Sequence, residues 1–257
     1  MIRFLIAILF NAKRGPQLVS TMRKMIKHKD KYPEKTRYAI ALKLIRYLKK
    51  SARISTEVYG AENLPEDGGY IMYPNHQGKY DALGIMYAHR EPCTFVMDKA
   101  KSYGFLVREM VDLLGAKRLA LDDVRQNIRI MDQIEKEVLE GKRFILFSEG
   151  GYANNGNIVQ RFKPGSFKCA MKSKVPIIPV TLIDSYLAFN SFKLGPVTTK
   201  VIFGTPICYD TYKDMKTYEV ADLVRSTIIS TMEEFGVYVN NPENNPDLLN
   251  DMLKEKH

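Results

Sequence analysis

A histidine and an aspartate lie five residues apart in the loop that follows a strand-like run ending near Pro74. In a continuous helix, His76 and Asp81 would point about 140° away from one another, so pairing them requires a turn, which Gly78 permits. An aspartate on one imidazole nitrogen fixes the tautomer and lets the other nitrogen take a proton from a hydroxyl. We predict that His76 is a general base oriented by Asp81. The alternative is that Asp81 only serves the first turn of the next helix.

A second loop with reactive groups comes directly after the strand-like run at 143–147. Its adjacent glycines, Gly150 and Gly151, let backbone N–H groups approach an anion or a sugar-like polyol, and Glu149 can accept hydrogen bonds from hydroxyls. The alternative is an ordinary turn that happens to contain a glutamate. Further on, residues 162–166 open a helix whose N-terminus favours phosphate.

Strand-like and helical segments alternate along the chain after residue 51. Strand-like runs cover 69–74, 94–97, 118–121, 143–147, 176–182 and 198–204. Helical periodicity covers 81–89, 103–114, 124–139, 166–174 and 215–235. The third helix has Asp122 or Asp123 as a candidate N-cap and Gly141 after its end. This alternation predicts an α/β fold with a largely parallel or mixed sheet flanked by helices, and both loops then follow the carboxyl ends of strands.

Several classes of enzyme lack their usual signal in this chain. It has no G-x-G-x-x-G after a strand, no G-x-x-x-x-G-K-S/T, no G-x-S-x-G and no H-E-x-x-H, which argues against dinucleotide, P-loop, serine-hydrolase and zincin chemistry. The three cysteines, Cys93, Cys169 and Cys208, form no C-x-x-C pair, so neither a disulfide framework nor a zinc site is expected. A reducing, cytoplasmic compartment follows from this cysteine usage.

The net charge of +10 comes from the N-terminal part of the chain. Residues 1–50 contain 14 Lys or Arg and two acidic residues, whereas the remainder contains 25 basic and 27 acidic residues. Residues 36–50 have the pattern of a basic amphipathic helix, and the apolar run at 2–10 is about half the roughly 20 residues that a spanning helix needs. Such helices lie in the interface of anionic bilayers, so we predict membrane attachment by this segment. A solvated helix packed on the main domain and a nucleic-acid-binding segment are the alternatives.

Four pieces in this order resemble the glycerolipid acyltransferase family that includes bacterial 1-acylglycerol-3-phosphate acyltransferases. They are N-H-x-x-x-x-D at 75–81, a glycine and basic residues at 115–125, F-x-E-G at 147–150 and V-P-I-I-P-V at 175–180. The resemblance spans about residues 58–208. The ordered set is far more specific than any one of its pieces.

The resemblance implies roles for individual residues. His76 is then the base that deprotonates the acceptor hydroxyl, Asp81 orients it, and Glu149 with Gly150 helps to bind glycerol phosphate. Lys99 looks like the basic residue that follows the family's second strand and could face the oxyanion. The implied substrate-binding residues are Asn75, Lys99, Arg118, Arg125, Glu149, Gly150, Gly151, Arg161 and Lys163.

The chain departs from the family at two phosphate-binding arginines. The family's F-P-E-G-T-R block reads F-S-E-G-G-Y at 147–152, which puts Tyr152 where an arginine is usual, and Leu121 replaces the arginine of the second motif. Arg118 and Arg161 lie three and nine positions from these gaps and are the candidate substitutes. A different lysophospholipid head group is the other explanation.

The resemblance therefore implies direct acyl transfer from acyl-CoA or acyl carrier protein to a lysophospholipid, most closely 1-acylglycerol 3-phosphate, in phospholipid biosynthesis. No metal, other cofactor or nucleic acid is expected; the expected partner is an anionic membrane surface on the cytoplasmic face. The predicted parts are a membrane-interface segment at 1–50, an acyltransferase catalytic domain at 51–240 and a polar tail at 241–257. The alternatives are a catalytically silent lipid-binding protein with this fold and a basic nucleic-acid-binding protein.

Overall fold

The computed structural model describes residues 2–89, 91–120, 123–192 and 194–238. Its strands are β1 (Ile54–Tyr59), β2 (Tyr70–Pro74), β3 (Thr94–Asp98), β4 (Lys117–Leu119), β5 (Arg143–Ile145), β6 (Ile177–Ile183) and β7 (Val197–Phe203). Its helices are α1 (Ile2–Phe10), α2 (Gly15–Lys27), α3 (Glu34–Ser51), α4 (Asp81–Ala88), α5 (Val107–Leu114), α6 (Val124–Leu139), α7 (Lys168–Ser173), α8 (Tyr186–Phe189), α9 (Tyr209–Tyr212) and α10 (Thr217–Glu234). Short 3-10 turns occupy Lys29–Lys31, Ala61–Asn63, Ala100–Tyr103 and Pro164–Phe167.

The seven strands found in the described residues form one mixed sheet in the order β1-β7-β6-β2-β5-β3-β4. The pairs of β2 with β5 and β6, of β3 with β5 and β4, and of β1 with β7 are parallel, while β6 and β7 are antiparallel. The predicted α/β class with a largely parallel or mixed sheet is confirmed. Because β2 and β5 are parallel neighbours, the loops that follow them leave the same edge of the sheet.

Helices cover the sheet on both faces, which explains why its central strands are apolar throughout. Along β2, Met72 packs into the core covered by α1 to α5, whereas Ile71 and Tyr73 pack into the core covered by α6, α7 and α10. All seven residues of β6 are buried. A strand buried on both faces cannot show an alternating pattern, and this one reads as a continuous run instead.

Several element boundaries differ from the sequence-based expectation. The edge strand β1 was not predicted. Most of its residues are exposed, so the sequence has no apolar run there that would indicate a strand. The helix expected at 103–114 begins only at Val107, because a 3-10 turn and an extended Gly104 precede it. Of the two candidate caps, Asp123 accepts a hydrogen bond from the backbone N of Gln126 at 2.9 Å. Residues 121 and 122 and the polar tail at 241–257 lie outside the described residues.

The apolar face of α3 is covered by protein, as in the alternative of a helix packed on the main domain. Tyr38, Ala41, Ile45 and Leu48 on that face are buried in the same core as the sheet and α5. Pairing of Arg23 with Glu109 at 2.7 Å also ties α2 to α5. Residues 2–50 are therefore packed on the rest of the chain, and membrane attachment by residues 1–50 stays a prediction. Among the described helices, none combines the length and the apolar character needed to cross a bilayer.

Candidate active site

His76 and Asp81 lie where β2 gives way to α4, at the carboxyl edge of the sheet. Nδ1 of His76 donates to Oδ2 of Asp81 at 2.7 Å, which confirms the geometry expected from a turn at Gly78. The same oxygen accepts the backbone N–H groups of Gln77 at 2.5 Å and Gly78 at 2.8 Å. Oδ1 accepts the hydroxyl of Ser185 at 2.5 Å. The carboxylate of Asp81 thus closes its own loop and does not merely serve the first turn of α4.

This hydrogen-bond pattern determines which nitrogen of His76 is free. Asp81 is fully buried and acts only as an acceptor, so the imidazole carries its proton on Nδ1. Nε2 then presents a lone pair that can accept a proton. The His76 ring stacks on Phe147 with centroids 4.1 Å apart and meets the edge of Tyr152 at 4.9 Å. These contacts hold the ring while its side chain stays 17% exposed.

Glu149 lies beside the pair and is hydrogen-bonded to groups of the protein. One carboxylate oxygen accepts the backbone N–H of His76 at 3.0 Å, and the other accepts the side-chain amide of Gln160 at 2.7 Å. Burial raises the pKa of the Glu149 carboxyl to about 8, against these two hydrogen bonds, which lower it. With both oxygens engaged inside the protein, Glu149 supports the His76 loop, and its role in binding substrate stays a prediction.

Asn75 is also held by contacts within the protein, and its substrate-binding role stays a prediction. It is fully buried; its amide nitrogen donates to the carbonyl of Leu182 at 3.0 Å, and its amide oxygen accepts the N–H of Leu182 at 2.7 Å. Gln77 adds contacts to Leu182 and to the backbone N of Ser185. The two amides therefore bind the His76 loop to the end of β6.

The two glycines shape the loop after β5. Gly150 has φ +78°, and a methyl group there would overlap the side chain of Lys163, which runs across it. The carbonyl of Gly151 accepts the amide of Gln160 at 2.9 Å. The structure therefore brings Lys163, one of the predicted binding residues, against the predicted loop, and Gly150 is the residue that leaves room for it.

Lys101, which was not among the predicted residues, lies near the candidate site. Its ammonium group lies 5.8 Å from the centroid of the Tyr152 ring, which in turn contacts His76. Lys99 is exposed, and its backbone N–H is bound to the carbonyl of Leu119 at 2.7 Å. Both lysines belong to one short turn after β3, and their spacing alone does not reveal which side chain turns towards Tyr152.

Arg118 is bound to other groups of the protein, and its phosphate-binding role stays a prediction. Its guanidinium pairs with Asp112 at 2.7 Å, donates to the hydroxyl of Ser102 at 2.9 Å and packs on the ring of Tyr103. It also lies on the edge strand β4, which β5 and β3 separate from β2. Its charge is therefore neutralised away from His76. Arg125 and Arg161 are exposed and make no described contact with the pair, so their binding roles stay predictions.

Gln160 was also absent from the predicted site, although it connects Glu149 to Gly151. No local signal marks it, because its partners lie nine and eleven residues earlier on a loop whose path the pattern does not predict. Within the described ranges, no three His, Cys, Asp or Glu side chains are grouped so that they could hold a metal ion.

Comparisons with known proteins agree with this geometry. The family model described as Acyltransferase matches residues 55–183, which is half of the chain. The chain is 26% identical over 204 residues to 1-acyl-sn-glycerol-3-phosphate acyltransferase alpha of Mus musculus, covering 76% of this chain and 71% of the relative. It is 25% identical over 189 residues to 1-acyl-sn-glycerol-3-phosphate acyltransferase of Saccharomyces cerevisiae, covering 71% and 61%.

A solved structure shares the whole fold. The crystal structure of the 1-acyl-sn-glycerophosphate (LPA) acyltransferase PlsC from Thermotoga maritima superposes with a TM-score of 0.70 at 21% identity, covering 93% of this chain and 99% of that one. The resemblance predicted from the four ordered motifs is thereby confirmed at the level of the family. The chain belongs to the acyltransferase family.

Proposed function

We propose that this protein transfers an acyl group from a thioester to the free hydroxyl of 1-acylglycerol 3-phosphate, giving phosphatidic acid for phospholipid biosynthesis. The observation that carries this proposal is the His76–Asp81 pair, with 2.7 Å between Nδ1 and Oδ2, at the carboxyl end of β2. The curated relatives that match three quarters of the chain carry the name of this activity.

The geometry supports direct transfer of the acyl group from donor to acceptor, without an acyl-enzyme intermediate. Nε2 of His76 takes the proton of the acceptor hydroxyl while its oxygen attacks the thioester carbonyl. The tetrahedral intermediate then expels the thiolate as the C–S bond breaks, and the imidazolium returns the proton to the sulfur. Asp81 stabilises the imidazolium that forms between these steps, because three further hydrogen bonds hold its carboxylate next to Nδ1 of His76.

Two lysines are suited to the phosphate group of the acceptor. Lys163 lies across Gly150, and Lys101 lies over the ring of Tyr152, so the two flank the loop that supports His76. Neither forms an ion pair with a carboxylate in the described part of the chain, in contrast to Arg118. We assign to these two lysines the phosphate-binding role of the two family arginines that this chain lacks. Acyl-CoA and acyl carrier protein, both anionic, are the candidate donors, and no further cofactor is required.

Substituting alanine for Lys101 or Lys163 is expected to raise the acceptor KM about tenfold each, the loss typical of one charge-assisted hydrogen bond. The donor KM should change by less than about twofold, because the two lysines are proposed to bind the phosphate of the acceptor and not the thioester donor. Steady-state kinetics with lysophosphatidic acid measure both constants. Lys172→Ala on α7, which removes an exposed lysine paired with Asp132, is the matched control. A parental acceptor KM in both lysine variants would place the phosphate elsewhere.

A panel of acceptors tests the proposed activity itself. The purified full chain is incubated with labelled acyl-CoA, or with acyl carrier protein, and with lysolipids carrying phosphate, phosphoglycerol or phosphocholine head groups. We expect labelled phosphatidic acid as the main product, with at least about tenfold lower kcat/KM for the phosphocholine acceptor, since two cations favour a phosphate monoester. Preference for another head group would redefine the acceptor, and a folded protein without any product would indicate a catalytically silent lipid-binding protein.

An anionic membrane surface is the proposed partner, reached through α1. Its outer face exposes Leu9 (72%) and Phe10 (77%), and the nearby Phe105 is 64% exposed. Leu9 and Phe105 line the same cavity of about 510 Å³ between α1, α2 and the segment before α5. Apolar side chains flanked by the basic residues of α2 are typical of peripheral attachment. The free thiols of all three cysteines favour the reducing, cytoplasmic side.

Leu9→Asp/Phe10→Asp is expected to lower the partition coefficient onto phosphatidylglycerol vesicles by about tenfold or more, because burying such a side chain is worth about 1.5–3 kcal/mol. Flotation of the full chain with vesicles measures the bound fraction. Leu139→Asp, at an exposed leucine on the last residue of α6, is the matched control and should bind as the parent does. High salt should weaken the binding of the parent without abolishing it. Parental binding of the α1 variant would place the membrane contact on another surface.

A further inference from the structure

A guanidinium on α10 lies behind the active-site loops. Arg225 donates from Nε to the carbonyl of Gln160 at 3.0 Å and from Nη2 to the carbonyl of Val159 at 2.9 Å. Burial lowers the pKa of Arg225, while the charges of Glu149 and Asp222 raise it. Arg225 lies outside residues 55–183 that the family model matches.

The segment that Arg225 holds is the one that fixes Glu149. The side-chain amide of Gln160 donates both to Oε2 of Glu149 at 2.7 Å and to the carbonyl of Gly151 at 2.9 Å. Oε1 of Glu149 then accepts the backbone N–H of His76 at 3.0 Å. A continuous series of hydrogen bonds therefore leads from α10, through Gln160 and Glu149, to the backbone of the base.

We propose that Arg225 and Gln160 are positioning residues of the active site, which hold the Glu149 side chain in place and so fix the backbone of His76. The kinetic part of this inference rests on the proposed acyl transfer; the structural part does not. Nε and Nη2 of Arg225 bind backbone carbonyls, and the amide of Gln160 binds Glu149 and Gly151, so both side chains act on the base through Glu149.

Glu149 depends on its hydrogen bonds, because burial and the nearby carboxylate of Asp81 both raise the pKa of its carboxyl. The backbone N–H of His76 and the side-chain amide of Gln160 oppose this shift. By holding the carbonyls of Val159 and Gln160, Arg225 keeps the Gln160 amide within reach of the carboxyl.

Arg225→Met and Gln160→Met should weaken the hydrogen bond from the backbone N–H of His76 to Glu149. Arg37→Met is the matched control. Arg37 is also half-buried and donates to two backbone carbonyls, those of Tyr32 and Leu113, but it lies on α3. Full-length protein labelled with ¹⁵N-histidine contains only four histidines, so the amide signal of His76 can be assigned with a His76→Gln variant. We expect its hydrogen exchange to be about tenfold faster in the two test variants, equivalent to about 1.4 kcal/mol of lost protection, and parental in Arg37→Met.

In the active enzyme, the same variants should lower kcat by about tenfold, with KM values within about twofold of the parent, because they change the position of the base and not the binding of substrate. Arg225→Lys keeps a donor towards the carbonyls of Val159 and Gln160 and should recover part of the loss. Parental exchange at His76, or a parental kcat in Arg225→Met, would overturn the proposal. A parent protein without acyl transfer would refute the proposed function, while hydrogen exchange would still decide the structural role of Arg225.

Discussion

Replacing His76 with alanine is expected to lower kcat by about 10²–10⁴-fold, the range typical of a lost general base. The structure provides the reason, since Nδ1 is committed to Asp81 and Nε2 is the proton acceptor at the edge of the sheet. The KM values of donor and acceptor should change little, because the imidazole acts on the proton in the transition state. Steady-state rates at saturating acyl donor and lysophosphatidic acid measure the effect.

The control for this variant is His28→Ala, at the C-terminal end of α2. It removes a histidine that belongs to neither loop of the site and should leave kcat unchanged. Circular dichroism and thermal unfolding of both variants verify that they are folded. A folded His76→Ala protein with a rate near that of the parent would show that another group removes the proton.

Asp81→Asn is expected to reduce kcat by about 10²–10⁴-fold while the protein stays folded. An asparagine can turn its carbonyl towards His76, Gln77 and Gly78 and its amide towards the hydroxyl of Ser185, which then accepts. The loop keeps its hydrogen bonds, but the imidazolium loses the negative charge that stabilises it. The kcat of this variant, measured beside its thermal unfolding, separates the lost charge from lost structure.

Asp81→Ala makes the useful contrast, since it removes the acceptor as well as the charge. The N–H groups of Gln77 and Gly78 would then be buried without partners, at a cost of about 1–3 kcal/mol each. We expect this variant to be both inactive and clearly less stable than Asp81→Asn. Equal stability of the two variants would contradict the loop-closing role of the carboxylate, and parental kcat in Asp81→Asn would contradict its electrostatic role.

The sequence was sufficient to predict the pair itself, because both residues belong to one short loop. His76 and Asp81 needed only a turn at Gly78 and a strand before it, and local spacing indicates both. Likewise, the alternation of apolar runs and helical periodicity predicted the mixed α/β sheet. These features depend on residues close to one another in the chain, where pattern and structure are directly linked.

The motifs do not show which partners Glu149 and Arg118 have. The two oxygens of Glu149 accept hydrogen bonds from His76 and Gln160. Arg118 forms an ion pair with Asp112. Burial and pairing of this kind are decided by tertiary packing, and the motif alone does not distinguish a free charged side chain from one with a partner.

The N-terminal helices illustrate the same limit. The amphipathic pattern of α3 correctly indicates an apolar face, but periodicity does not say whether lipid or protein covers it. Because α1 to α3 share the core with the sheet, deleting residues 1–50 would expose that core and confuse membrane release with unfolding. Point substitutions on the outer face of α1 avoid this difficulty.

The kcat of a protein that carries both His76→Ala and Asp81→Asn tests most directly whether the two residues act as one base. If Asp81 works only through the imidazole, its loss costs little once His76 is gone. We therefore expect the double variant to be as slow as His76→Ala alone, within about threefold, at saturating donor and lysophosphatidic acid. Single-variant effects that multiply in the double variant would show that the two residues contribute independently, and would contradict the coupled base.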